Sequence, residues 1–312
     1  MERLPGTAPA FPARRFRGRR LPAACLLALL AAGCALPSSP TMSTVPREWR
    51  RRNPWGPEAY VARAEGKLRP VFYTQAMAEW AEFGRKHIQD GDILFRYGES
   101  YKPYEIFTSR VIAGVEDNRF SHDGIAHWEG DALYVYDAEP EPQGVRKVPF
   151  DFWVLDVADE SLVIKRSRPE CRDAIPQAIA YCEDVWQRQA PFDPDLTGDE
   201  NKLYCSEMIE KAYRSAGVVL SEPVPIRCMP HYKRWLPLVP VAYAFSKLRV
   251  YVPVYALGNQ YYGTFGSPLL ETVYEQSPDR RQDRRRPPTC GGDAACAEKP
   301  ADAPSLPADA SH

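Results

Sequence analysis

The sequence has no metal signature. It contains no Cys-x-x-Cys pair, and its five histidines are not spaced with cysteines as zinc ligands would be. It has little net charge, −1 at pH 7, and so lacks the basic footprint of a nucleic-acid binder. It has no internal repeats. Its N-terminal apolar stretch, inside "LPAACLLALLAAGC" at 21–34, is too short for a membrane-spanning helix, which takes ~20 residues. The stretch 277–312 has almost no large apolar side chains and cannot build a core. The "RRQDRRRPP" run within it reads as a solvated tail, not as a nucleic-acid patch.

What is present at the N-terminus is a leader. Arg14, Arg15, Arg17, Arg19 and Arg20 form a basic region ahead of the apolar stretch, as in a secretory signal peptide. "LAAGC" resembles a bacterial lipobox, with Gly33 before Cys34. That resemblance implies cleavage before Cys34 and lipid on its thiol and amine; the alternative is an ordinary signal peptide cut nearby. Because Ala35 rather than aspartate follows, the analogy points to the outer membrane, facing the periplasm. The expected organisation is a leader at 1–33, a lipidated Cys34 and Pro/Ser/Arg-rich tether at 34–67, one domain at 68–275, and a disordered tail at 276–312.

Of the eight cysteines, six remain once Cys25 is removed and Cys34 is lipidated. Cys171 and Cys182 fall on one predicted helix. Their separation along it is ~16 Å, beyond the ~7 Å between Cα atoms that a disulfide allows. Cys290 and Cys296 could close a small loop. Cys205 is left free, even in an oxidising compartment.

Within the domain, "GDILFRYG" (91–98), "RFSHDGIAHW" (119–128), "ALYVYDAEP" (132–140), "GVRKVPFDFW" (144–153) and "SLVIKRS" (161–167) read as successive strands. Residues 170–189 read as a helix despite Pro176, which falls in its second turn and could mark a later true start. "LRVYVPVYAL" (248–257) reads as a last strand. Strands followed by packed helices imply an α+β domain.

The stretch "NKLYCSEMIEKAYRSAG" (201–217) starts a helix on a cysteine. Met208, Ile209, Ala212, Tyr213 and Ala216 recur at helical spacing and mark the buried face. Glu210, Lys211 and Arg214 read as the wet face, and Gly217 as the stop. A thiol at a helix N-terminus feels the positive end of the dipole, which lowers its pKa. The plain alternative is a small buried apolar residue.

A thiolate nucleophile needs a base and an orienting group. His122 is the best base: Phe120, His122, Gly124 and Ala126 share one strand face, and Gly124 leaves space beside it. His127 faces the other way, and His87 and His231 lie in polar loops. Asp137 ends an apolar strand where an acid needs a reason to be; Glu139, on the same face, is the alternate. The Cys205 backbone N–H could donate to an oxyanion. A second donor is not identifiable.

"GDILF", "FSHDGIAH", "YVYDAEP" and "YCSE", in this order, resemble the circularly permuted NlpC-type proteins of the papain-like superfamily, in the YiiX-type branch. The resemblance spans about residues 90–215. It implies a permuted papain-like fold, an antiparallel sheet packed against helices that include the cysteine-bearing one. It makes Cys205 the nucleophile, His122 its base and Asp137 the third member, where relatives often carry glutamate. Glu207 matches the motif too, but points away from Cys205 and reads as a first-turn structural residue.

The expected activity is a thiol hydrolase cutting an amide, in cell-wall peptide, peptidoglycan or an acylated amine, with no cofactor or metal implied. The expected contacts are this substrate and the membrane, through the lipid anchor, with no nucleic acid. Two alternatives stand beside it. One is a lipid- or acyl-processing transferase or esterase with the same nucleophile, which the aromatic-rich segment at 251–265 could serve. The other is a catalytically silent binding module of the same fold.

Overall fold

Short alternating stretches build the sheet at the centre of the protein. The computed structural model describes residue 49 and residues 52–69, 73–97, 111–140, 144–156, 162–199, 201–238 and 249–276. All fall within the unit Pro37–His312. Cys34, the expected leader and the expected tail from 277 onward lie outside the described residues, as do Cys290 and Cys296.

Strands β1 (Ile93–Arg96), β2 (His122–Glu129), β3 (Ala132–Glu139), β4 (Gly144–Pro149), β5 (Leu162–Ser167) and β8 (Leu270–Glu275) form one antiparallel sheet in the order β4-β3-β2-β1-β5-β8. A second, two-stranded ladder pairs β6 (Val224–Pro225) with β7 (Pro253–Val254). The helices are α1 (Pro57–Ala64), α2 (Gln75–His87), α3 (Phe150–Leu155), α4 (Ile175–Gln187), α5 (Cys205–Ser215) and α6 (Tyr232–Trp235). The architecture is the expected α+β arrangement, with helices on both faces of the sheet.

The two-residue period sorts the strand side chains into two cores. Ile93, Phe95, Ile125, Tyr136 and Val145 pack with Ala178, Cys182, Met208, Ile209 and Ala212 of α4 and α5. Leu94, Ala126, Val135, Val148 and Ile164 pack on the opposite face with Met77 of α2 and Phe150, Phe152 and Trp153 of α3. Arg96 stands directly opposite His122, and Phe95 opposite Asp123. His122 therefore belongs to the α2/α3 face and Asp123 to the α4/α5 face.

Four details depart from the sequence reading. The strand expected over 144–153 ends at Pro149, which cannot donate to a continuing ladder. The run "FDFWVL" coils into α3, and Phe150, Phe152, Trp153 and Val154 are all buried. The last strand is β8, not 248–257, where only Pro253–Val254 pairs. β8 is an edge strand with mostly exposed side chains, so it carries little apolar signal. The helix expected over 170–189 is a 3-10 turn at Pro169–Ala174 followed by α4, with Pro176 in its first turn. Finally, the expected tether at 34–67 is folded from Asn53 on. Trp55 is 2% exposed. Its ring meets Phe152 at 4.7 Å between centroids, and its carbonyl accepts the Trp186 indole N–H at 2.7 Å.

Helix α5 is more enclosed than a two-faced helix should be. Glu210, expected in solvent, is buried. Its carboxylate accepts from the Ser221 hydroxyl and from Thr264 Oγ1 at 3.3 Å. These residues come from the loops that follow α5 and β7 and close over the expected wet face.

Gly124 fixes how closely β2 and β3 meet beside the site. A Cβ there would lie 2.5 Å from Val135 Cγ1 and 2.9 Å from the Tyr136 carbonyl oxygen. Overpacking of this kind costs about 1–3 kcal/mol. Gly124→Ala should therefore lower the urea unfolding free energy by about that amount. A change within measurement error would show that the two strands can part without cost.

Candidate active site

Asp137 is the centre of a buried charge network on the α2/α3 face, and it is fully buried. His122 Nε2 lies 2.8 Å from Asp137 Oδ2. Arg146, opposite Asp137 in the ladder, donates to both carboxylate oxygens, from Nε to Oδ1 at 2.8 Å and from Nη2 to Oδ2. The Trp153 indole N–H adds a bond to Oδ2 at 2.8 Å. Burial alone would push this carboxyl up. The charge and hydrogen bonds of Arg146, followed by those of His122, outweigh it and hold Asp137 well below the usual carboxylate range.

Glu139 is the outer member of the same row. It lies 3.5 Å from His122 Nε2 and is held by Arg96 at 3.2 Å and Arg146 at 3.3 Å. Arg96 is itself buried, donates to the Trp153 carbonyl and lies over the Trp153 ring at 4.2 Å. Of the two acids named from sequence, Asp137 is the one in direct hydrogen-bond contact with the imidazole. His122 Nδ1 makes no hydrogen bond among the described residues. That geometry fixes the ring and leaves one nitrogen free to handle a proton.

Cys205 is the first residue of α5, after an extended Tyr204 that provides no side-chain cap. It is a free thiol, as are Cys171 and Cys182, whereas Cys228 is disulfide-bonded. The helix start was expected to lower its pKa. Burial instead pushes the thiol well above its ordinary value, and the charge of Asp123 adds to the rise. The dipole contributes only ~0.3–1 kcal/mol at an exposed helix end, and here desolvation wins. Among the described residues no hydrogen bond joins the thiol to His122. Cys205 faces the α4/α5 core beside Asp123, while His122 is anchored in the network on the other face.

The remaining sequence candidates serve structure. His127 bonds Asp90 at 3.1 Å and stacks on Tyr136. His87 packs against Phe83 and Tyr274. His231 pairs with Asp117 at 3.2 Å. Glu207, expected to point away from the chemistry, is buried, pairs with Lys211 at 3.0 Å and is pushed up to about 7 by its burial. It occupies the third helical position, where a carboxylate can face the N-cap backbone N–H.

Arg146, Arg96, Trp153 and Asp123 were not singled out from sequence. The roles of the first three emerge only once the register is known, because β3–β4 pairing sets Arg146 against Asp137 and α3 brings Trp153 back over it. Asp123 carried a legible signal, an acid in the middle of an apolar strand.

His122, Asp137 and Glu139 offer donor atoms within 4.8 Å of one another, the donor set a divalent cation could use. The fit is poor. Asp137 already accepts from Arg146, Trp153 and His122, and both acids are balanced by guanidinium groups that would repel a cation. The network is built to orient an imidazole. Removing its main cation should expose that dependence: Arg146→Met leaves Asp137 buried without charge balance, and the expected loss is about 3–5 kcal/mol of unfolding free energy by denaturant titration. A loss below about 1 kcal/mol would mean that Asp137 is neutral in the folded state.

Residues 87–228, somewhat under half of the chain, match the model for the permuted papain-like amidase enzymes, YaeF/YiiX, C92 family. No curated protein matches the chain. A solved structure of the metalloprotein yiiX from Escherichia coli O157:H7 is 19% identical, covers 61% of this chain and 98% of its own, and superposes with a TM-score of 0.49.

Proposed function

We propose that the protein is a cysteine hydrolase that cleaves an amide bond through an acyl-enzyme on Cys205. The observation that carries this reading is the imidazole of His122, held at Nε2 by Asp137 and free at Nδ1. In this reading Cys205 attacks the substrate carbonyl. The thiol makes no hydrogen bond to His122 at rest among the described residues, so in this reading substrate binding first brings the sulfur to the imidazole. Nδ1 then takes the thiol proton as the C–S bond forms and returns it to the leaving amine, and water releases the acyl group. Asp137 keeps the tautomer and stabilises the imidazolium without being protonated itself. The raised thiol pKa argues against a resting thiolate–imidazolium pair and for deprotonation in step with attack. The backbone N–H groups at the start of α5 are the oxyanion donors closest at hand.

The substrate class we propose is a cell-wall peptide or an acylated amine. Mature protein tethered through a lipidated Cys34 at the outer membrane would meet either. A lipid-processing role draws less support. The aromatic segment at 251–265 spends Val254, Ala256 and Tyr262 on a third core cluster with Tyr204, Ile226 and Met229, which is the packing role the segment would have in any case.

The test is an acyl-enzyme trap. Incubation with a panel of acyl p-nitroanilides and p-nitrophenyl esters, followed by peptide mass spectrometry, should find the acyl group on Cys205. Cys205→Ala should abolish turnover. His122→Ala and Asp137→Asn should each reduce kcat/KM on the order of 10²–10⁴-fold. Acylation elsewhere, or full biological effect retained by Cys205→Ala, would favour a silent binding module. For the anchor, the mass of the mature N-terminal peptide decides: lipid on Cys34 supports it, and an unmodified N-terminus ends it.

A further inference from the structure

The nucleophile has a second acidic neighbour that the hydrolytic reading does not use. Asp123 lies one residue after His122 but on the opposite face of β2, opposite Phe95 in the ladder, with Cys205 and Ser206 of α5 as its neighbours. It is fully buried. Among the described residues, neither of its carboxylate oxygens has a hydrogen-bond partner of ordinary geometry, and the buried Ser206 hydroxyl beside it has none either. An ionised carboxylate in such a place is costly unless a proton donor turns toward it. Two donors are at hand, the Cys205 thiol and the Ser206 hydroxyl.

We infer that Asp123 is a positioning residue that holds the Cys205 thiol hydrogen in the resting enzyme, keeping the nucleophile neutral until substrate arrives. The inference rests on the reading of Cys205 as the nucleophile. Burial raises the Asp123 carboxyl to about 6, against the opposing pull of His122, Cys205 and Ser206. It is thus an anion at neutral pH, and its charge disfavours a thiolate next to it. The other ionisable groups around the pair are His122 on β2, Asp137 and Glu139 on β3, Glu116 in the helical stretch 111–116, and Tyr204 before α5. Only His122 can bring positive charge toward the thiol. The others are acids or a phenol, so the surroundings as a whole hold the proton on sulfur. When the substrate carbonyl draws the sulfur away from Asp123, the thiol loses the acceptor that holds its hydrogen, and the carboxylate left behind favours positive charge on His122, its neighbour in the chain.

The experiment is the pH profile of Cys205 alkylation by iodoacetamide, mapped by mass spectrometry in the full chain, with Cys182 as an internal control. Asp123→Asn should lower the midpoint by about one pH unit, making Cys205 about tenfold more reactive at pH 7. An unchanged or raised midpoint in a folded variant overturns the inference. Should Asp123→Asn fail to fold, the unmodified protein still decides. Its Cys205 S–H infrared band, assigned by difference from Cys205→Ser, should move to higher wavenumber as pH falls through about 6, where Asp123 is protonated and the hydrogen bond weakens. A band that does not move also overturns it. The acyl-enzyme trap is independent. Acylation of Cys205 with no Asp123 effect would remove this inference and leave the hydrolase, while an Asp123 effect with no acylation would remove the hydrolase and leave a thiol–carboxylate pair without catalytic meaning.

Discussion

The site depends on one buried carboxylate staying charged. Asp137 sits in the sheet with no access to water, where an isolated ion would cost several kcal/mol. Arg146 across the β3–β4 ladder, the Trp153 indole and His122 together make that charge tenable. Each comes from a different element, so the charge ties β2, β3, β4 and α3 into one geometry. Arg96 extends the tie to β1 by bonding Glu139 and the Trp153 carbonyl. An imidazole bonded to this row cannot rotate freely, which is what a base of fixed tautomer requires.

The same logic explains why α3 exists where a strand was expected. Pro149 ends the ladder, and the next turn brings Trp153 back above Asp137. Had β4 continued, alternate side chains of 150–153 would have faced away from the carboxylate. The fold here is shaped by polar satisfaction as well as by apolar burial: Phe150 and Phe152 would share the second-core face in a continued strand too, whereas Trp153 reaches that face and Asp137 only from the helix.

Much of this was legible in the sequence, for identifiable reasons. Period-two stretches placed β1, β2, β3 and β5, and the stripe from Met208 to Tyr213 placed α5, because these elements each have a clearly apolar face. Asp137 was found because an acid in an apolar strand needs a partner, and His122 because a thiolate needs a base and Gly124 leaves space on the same strand face. Arg146 and Arg96 escaped because their role depends on cross-strand register, which spacing along the chain does not encode. β8 escaped because an edge strand with a wet face lacks the apolar signal. The thiol's pKa was misjudged because the helix dipole can be read from sequence, whereas desolvation depends on what packs against the helix start.

The two aspartates flanking the sheet show how environment assigns roles to identical groups. Asp137 and Asp123 lie on adjacent strands and both are fully buried. Arg146 outweighs burial at the first and pulls it well below the usual carboxylate range, while at the second burial wins over the weaker pull of His122, Cys205 and Ser206 and the carboxyl rises to about 6. Separated titrations of this kind divide labour between carboxyls. Asp137 is suited to permanent charge, and so to stabilising an imidazolium. Asp123 is suited to accepting a hydrogen bond from a neutral thiol, and so to restraining it. His122 is bonded to the first and lies next in sequence to the second. In the proposed reaction, a proton moving from Cys205 to His122 would leave a group that one aspartate keeps neutral and reach a group that the other makes ready to be charged.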